Sequence, residues 1–145
     1  MTRILFLCTE NSCRSQMAEG WLRHLSRPPI EAFSAGTNPQ TVNPLAVESM
    51  KECDVDIYGH RSKSVREFLS QRFEFVITVC DQAQESCPTF PDSPRLLHWS
   101  IPDPATAGGT TEERQAVFRL VRDQIRGRVE AFVRQELDPF IRNKT

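Results

Sequence analysis

The sequence predicts an α/β fold, a small doubly wound domain with a parallel sheet of about four strands flanked by helices. Three observations point there. An apolar run, Ile4-Leu5-Phe6-Leu7, gives way through a polar loop to a helical pattern. A second run dense in β-branched and aromatic residues, Phe73 to Val79, lies mid-chain. Strand-like and helix-like segments alternate, which favours parallel strands joined by helical crossovers. At 145 residues the chain is expected to form one domain, residues 1–145, burying roughly two thirds of its unfolded surface in a single core.

The elements follow in order. The first helix carries Met17, Ala18, Trp21, Leu22 and Leu25 on one face. Ile30 to Gly36 reads as the second strand. Asn43-Pro44 marks a helix start, running to about Lys51 with Ala46, Val47 and Met50 inward. A polar stretch from Asp54 to Ser64 leads to a short helix over Val65 to Leu69. Phe73 to Val79 is the expected central strand, ending at Cys80, and Arg95 to Trp99 is a further short strand. Thr110-Thr111-Glu112-Glu113 is a capping box that opens a long amphipathic helix. Its inward stripe is expected to be Val117, Leu120, Val121, Ile125, Val129, Phe132 and Val133, with its arginines on the solvated face.

Composition narrows the function. A formal net charge of −1 supplies no general attraction for nucleic acid or an anionic membrane, so any anion binding must be local. The apolar run at Ile4 to Leu7 is too short for a signal h-region or a membrane span, and a cytoplasmic location is expected. In that reducing compartment the five cysteines are more often catalytic, redox-active or metal-binding than stapling.

The main chemical signal is Cys8-Thr9-Glu10-Asn11-Ser12-Cys13-Arg14, followed by Ser15, where the first strand passes into the first helix. Backbone N–H groups of such a loop converge on one point at the positive end of a helix and hold phosphate-like anions. That field is expected to favour the thiolate of Cys8, which reads as a nucleophile. Arg14 would clamp the anion with its planar fork. Thr9, Glu10, Asn11, Ser12, Cys13, Arg14 and Ser15 are therefore the expected substrate-binding residues. A buried structural cysteine beside an unrelated arginine is the plain alternative. Glu10 is unusual in an anion loop; pointing inward it would repel substrate, and it is expected to face solvent. Cys13 is expected to support the loop, Cys53 to be a bystander and His98 to be a hydrogen-bonded core residue.

A second signal is Cys80-Asp81-Gln82-Ala83-Gln84-Glu85-Ser86-Cys87-Pro88. Cys8 and Cys80 both end strands, on the sheet edge where open α/β folds bind ligands. On one α-helix Cys80 and Cys87 would lie about 10.5 Å apart along the axis. A disulfide tolerates a Cα separation of only about 4.4–6.8 Å. A bond between them would make the intervening turns unwind, so oxidation would be a conformational signal. Two unrelated cysteines remain an alternative, as does a zinc site, which lacks a full set of four ligands.

The first block, extended through Gln16-Met17-Ala18-Glu19-Gly20, combines with Ser34-Ala35-Gly36, Asn43-Pro44, Cys80, Cys87-Pro88, His98-Trp99 and Asp103-Pro104. With these residues the chain, from about Ile4 to Phe132, resembles the thioredoxin-linked arsenate reductases. That family shares its fold and anion loop with the low-molecular-weight protein tyrosine phosphatases. The resemblance implies that Cys8 attacks arsenate, Arg14 and the loop amides hold its oxygens, and Asp103 protonates the departing hydroxyl. It further implies that Cys80 attacks Cys8 to release arsenite, that Cys87 then attacks Cys80, and that thioredoxin reduces the final disulfide. The implied role is arsenic detoxification by a monomer without metal or organic cofactor.

Relatives of this kind can bind potassium through residues matching Asn11, Glu19 and Ser34 plus an acidic residue. Here the fourth position is Lys63, whose ammonium is expected to replace the ion, a solvated surface lysine being the alternative. Without further context Asp103 before Pro104 could be a turn residue. The runner-up function is a low-molecular-weight protein tyrosine phosphatase working through a phosphocysteine. Ala105 stands where those phosphatases usually carry an aromatic residue, and Tyr58 is the only tyrosine.

Overall fold

Four parallel strands in the order β2-β1-β3-β4 form the sheet of the computed structural model. The structure describes residues 1–27 and 30–143, so the last two positions of the expected 1–145 domain lie outside the described residues. The strands are β1 (Thr2–Cys8), β2 (Ile30–Gly36), β3 (Phe75–Thr78) and β4 (Arg95–His98). The register sets Ile4 opposite Phe75 and Phe6 opposite Ile77, so these four side chains share one face. Phe6 meets Trp99 there, and Phe75 meets Phe132 of α4 (Thr111–Phe132). Leu5 lies opposite Phe33, whose ring packs with Phe68 and Phe73 and, through Phe73, Phe90 on the other face. Both faces of the sheet are thus covered, as parallel sheets require.

The helices are α1 (Arg14–Leu25), α2 (Pro44–Lys51), α3 (Asp81–Glu85), α4 and a short α5 (Asp138–Asn143). Asn43 caps α2 by accepting the Leu45 N–H, with Pro44 at the first position, and Thr110 with Glu113 closes the expected capping box on α4. The short helix expected over Val65 to Leu69 is a single 3₁₀ turn, Val65–Phe68. β3 is shorter than the expected run, since Phe73 already turns into the aromatic cluster and Cys80 begins the next cap. The helical stripe expected on α4 needs one correction. Leu120 is 71% exposed, whereas the unexpected Phe118 is fully buried. At about 100° per residue, Phe118, Val121, Ile125, Val129 and Phe132 follow one line and Leu120 falls off it.

The α4 arginines are not all solvated. Arg122 is largely buried against α2, donating to the Ser49 carbonyl and to Glu52, and Arg126 lies over the Trp21 ring. Beyond α4 the chain continues through a π turn, Val133–Leu137, into α5. Phe140 packs there on Phe75. Among the described residues no helix is long and apolar enough to cross a membrane.

Candidate active site

The loop between β1 and α1 turns its carbonyls outward, where nearly every one finds a donor. Thr37, Asn38, Gln40 and Asn43 give their N–H groups to the carbonyls of Cys8, Thr9, Glu10 and Ser12 at 2.8–3.2 Å. The Asn11 carbonyl receives Ser62 Oγ at 2.7 Å and Gln16 Nε2 at 3.1 Å. N–H and C=O of one peptide point in opposite directions, so carbonyls engaged outside leave N–H groups for the inside. Asn11 supplies the necessary curl with φ +52°. Gly36 lies directly beneath the loop. A Cβ there would come within 2.5 Å of the Thr9 carbonyl oxygen and 2.9 Å of the Asn11 nitrogen. Cys13, which caps α1, makes no side-chain capping bond, so the positive helix end stays open toward the loop interior.

Cys8 sits at the centre of a directed hydrogen-bond chain. Asn11 Oδ1 accepts from Gln16 Nε2 and from the Lys63 N–H, both at 2.9 Å, which fixes the amide orientation. Asn11 Nδ2 therefore donates to Ser15 Oγ at 2.7 Å, and the Ser15 hydrogen is left to point at Cys8 Sγ, 2.8 Å away. The Asn11 N–H adds a second donor at 3.1 Å. Burial nonetheless pushes the Cys8 thiol above its ordinary range. The Ser15 hydroxyl and N–H, the Asn11 N–H and Arg14 oppose that push without overcoming it. The expectation that the helix field alone favours the thiolate is corrected accordingly, because a sulfur withdrawn from water loses more solvation than these donors return. Burial likewise pushes Cys13 up to about 12, in keeping with a supporting role.

Cys8, Thr9, Glu10, Ser12, Cys13, Arg14, Gln82 and Asp103 line a cavity of about 100 Å³. Arg14 is held across it, Nη1 donating to the Ile101 carbonyl at 3.0 Å and Nη2 lying 3.8 Å from Asp103 Oδ2. Asp103 also accepts the Ala105 N–H at 2.9 Å, so it is both the cap of a turn and part of the cavity wall. Glu10 is exposed, as expected, yet it stands on the rim and accepts from the Ser12 hydroxyl at 3.4 Å. A larger cavity of about 1340 Å³ lies between Val42, α2 and the 54–62 segment, but no cysteine lines it. The smaller one holds Cys8 and Arg14 together.

The second thiol arrives through strand register. Leu7 pairs with Thr78, and the Val79 N–H reaches the Leu7 carbonyl at 2.8 Å, so β1 and β3 release Cys8 and Cys80 from adjacent strand ends. Thr9 Oγ1 lies 3.4 Å from Cys80 Sγ and 3.2 Å from Gln82 Oε1. Cys80 is buried and caps α3 by accepting the Ala83 N–H. Because α3 ends at Glu85, Cys87 lies beyond it, half-buried and pushed up by burial. All five cysteines are free thiols. Asp81, at the start of α3, contacts His98 Nε2 at 2.9 Å and accepts the Ser100 hydroxyl at 3.1 Å. The His98 bond holds the Asp81 carboxyl below its usual value. His98 is thus hydrogen-bonded as expected, with Thr78 on its other nitrogen, but at the sheet's end rather than in the core.

Beneath the loop, the Glu19 carboxylate is almost fully buried. Ser34 donates to it at 2.6 Å, Arg23 pairs with it at 2.9 Å, and His60 Nδ1 and Lys63 Nζ lie at 3.6 and 4.0 Å. Lys63 also donates to the Arg61 carbonyl at 2.9 Å. The residues expected for potassium do not fit that ion, which would face two fixed cations across one carboxylate. Sequence reasoning missed Gln16, Ser62 and Gln82. Gln16 and Gln82 lay inside the two quoted segments without being assigned a role, while nothing in the sequence marked Ser62.

A family model described as low molecular weight phosphotyrosine protein phosphatase matches residues 3–140. The chain belongs to that family. Within it, the chain groups with the arsenate reductases. It is 46% identical to an arsenate reductase of Halalkalibacterium halodurans over 89% of this chain and 93% of that one. It is 42% identical to an arsenate reductase of Bacillus subtilis over the same shares. A solved arsenate reductase in an oxidised state superposes with TM-score 0.80 at 30% identity, covering 93% of this chain and 98% of the other. An arginine phosphatase from Geobacillus stearothermophilus, at 24% identity and TM-score 0.78, shares the fold.

Proposed function

We propose that this protein reduces arsenate to arsenite, with Cys8 as nucleophile and Cys80 and Cys87 as a disulfide relay. The observation that carries the reading is Thr9: it follows Cys8 in the loop, and its hydroxyl touches Cys80 Sγ at 3.4 Å, at the mouth of the oxyanion cavity. The relatives' names supply the substrate. Arsenate enters the cavity with its oxygens on the loop N–H groups and Arg14, and one arsenate oxygen takes the Cys8 proton, leaving the thiolate to attack. Cys8 Sγ bonds to arsenic, and Asp103 protonates the oxygen that leaves as water. Cys80 then attacks Cys8 Sγ. The S–As bond breaks with its electron pair on arsenic, giving arsenite and a Cys8–Cys80 disulfide. Cys87 attacks Cys80 in turn and returns Cys8 as a thiolate. An exchange of this kind ends on an external dithiol protein, proposed to be thioredoxin, with no bound cofactor, acting on a cytoplasmic monomer. Lys63, paired with Glu19, takes the place proposed for potassium.

One coupled assay tests this. Arsenate, thioredoxin, its reductase and NADPH are mixed with the reduced protein, in sodium or potassium buffer. NADPH loss is expected with wild type, equally in both buffers. Cys8→Ser and Cys87→Ser should each lower it by at least about a thousandfold. Continued turnover of Cys87→Ser would instead favour a glutathione or glutaredoxin route. Strong potassium activation would reject the Lys63 assignment.

A further inference from the structure

Helix α3 contributes a side chain to the oxyanion cavity, where Gln82 joins Cys8, Arg14 and Asp103 in the wall. Its carboxamide is oriented by one contact, the Thr9 hydroxyl donating to Oε1 at 3.2 Å. With Oε1 engaged as acceptor, the two N–H donors of Nε2 remain, and they make no hydrogen bond among the described residues. A free amide NH₂ beside backbone N–H groups and a guanidinium is one more donor for a tetrahedral oxyanion.

Gln82 also belongs to the helical turn that stands between Cys80 and Cys87. Ser86 gives both its N–H, at 3.2 Å, and its hydroxyl, at 2.8 Å, to the Gln82 carbonyl. Ser86 directly precedes Cys87. Closing the two Cα atoms to the roughly 4.4–6.8 Å of a disulfide would act on this turn through Ser86 and strain its two bonds to the Gln82 carbonyl.

We propose that Gln82 is an oxyanion ligand supplied by α3, and that forming the Cys80–Cys87 disulfide withdraws it and lowers the oxyanion affinity of the oxidised protein. The redox half rests on the relay proposed above; the ligand half does not. The step itself is balanced within the relay. Cys87 thiolate forms a bond to Cys80 Sγ, the Cys8–Cys80 bond breaks, and Cys8 leaves with the electron pair and takes a proton. The oxidising equivalents come from arsenate. The consequence is that a protein awaiting reductant, unable to turn over, releases the anion that would otherwise occupy its loop.

The test uses inorganic phosphate as an unreactive probe, titrated into the full chain by calorimetry or NMR at constant pH and ionic strength. Wild type and Gln82→Ala are compared reduced, and again after a single turnover with arsenate without reductant, the disulfide being mapped by mass spectrometry. Cys87→Ser and Cys87→Ser/Gln82→Ala are compared reduced. Reduced wild type is expected to bind phosphate roughly three- to tenfold more tightly than the oxidised form, the size of one hydrogen bond to an anion at a partly open site. Gln82→Ala should lose that factor when reduced, in both backgrounds, and oxidation should then change its affinity little. Unchanged phosphate affinity of reduced Gln82→Ala would overturn the ligand assignment. A full redox difference persisting in Gln82→Ala would overturn the coupling. Failure to find a Cys80–Cys87 disulfide would remove the relay and the redox half with it, while the Cys87→Ser pair would still decide whether Gln82 holds the anion.

Discussion

The anion loop and the 80–87 segment meet at Thr9 but are built to opposite specifications. In the loop, Asn11, Ser12, Ser15 and Gln16 are buried, and the polar atoms and carbonyls of the loop are tied to the 37–43 chain and to Arg61, Ser62 and Lys63. In α3 only Ala83 is buried, the helix is five residues long, and its start is held from outside by His98 and Ser100. The difference separates two tasks. A cradle that must present converging N–H groups to an anion cannot move, because each displaced donor loses its aim. Under the proposed relay, a thiol that travels to another sulfur needs a segment that can move, and short helices with little burial sit at the low-stability end of a fold.

The largest break in this comparison should come from Gly36→Ala. The added Cβ, 2.5 Å from the Thr9 carbonyl, meets backbone rather than a yielding side chain, so the loop must shift. Arsenate reduction is expected to fall by at least about a hundredfold in kcat/KM, since misplacement of about 1 Å carries that penalty. Phosphate-dependent NMR shifts in the loop should vanish with it. Retention of wild-type kinetics would show that the cradle is more compliant than its hydrogen bonds imply.

A smaller effect, of opposite sense, is expected from Asp81→Ala. Removing the His98 and Ser100 contacts frees the start of α3, so amide exchange of Ala83 to Ser86 should accelerate. Formation of the Cys80–Cys87 disulfide in stopped single turnover should quicken by roughly two- to fivefold, the range of an exposed pair. If exchange in α3 is unaffected, the helix is held by something other than Asp81.

The smallest effect concerns the rigid half. His60 Nδ1 faces Gln16 Oε1 at 3.0 Å, and its Nε2 faces Arg23 at 3.4 Å, so the ring is neutral with Nε2 accepting. Burial is the first cause that lowers its pKa below 6.5; Arg23 and Lys63 add to it, while Glu19 and Asp56 oppose it. A lowered folded value means the unfolded chain takes the proton first as pH falls. Stability from this group is therefore complete above about 6.5 and is lost as pH falls below it toward the folded pKa. The thermal midpoint of wild type should decline over that window, and His60→Gln should flatten the decline. An identical slope in the variant would place the acid sensitivity elsewhere.

Much of this architecture was legible in the chain itself. Apolar runs and helical apolar periodicity located all four strands and the three longest helices, and Asn43-Pro44 and Thr110 with Glu113 marked two helix starts correctly, whereas α5 was not expected. Those signals are local, carried by residues within a turn or two of one another. The misses share the opposite property. Leu120 faces solvent because the axis of α4 is set by Trp21 and Phe75, which are remote in sequence. The raised Cys8 thiol reflects how deeply the sheet and loop bury it, which no motif encodes.

The sequence alone determined that a thiol and a guanidinium flank a loop at a strand-to-helix switch, because seven contiguous residues and their flanking periodicity are sufficient for it. Only the tertiary structure decided that Cys80 arrives beside Thr9, that Gln82 enters the cavity and that Glu19 is already saturated by Arg23, Ser34 and Lys63. Those juxtapositions depend on the parallel register of β1 with β3 and on how the 60–64 segment docks against α1. Register and docking follow from the packing of the whole core, not from any segment of the chain taken by itself.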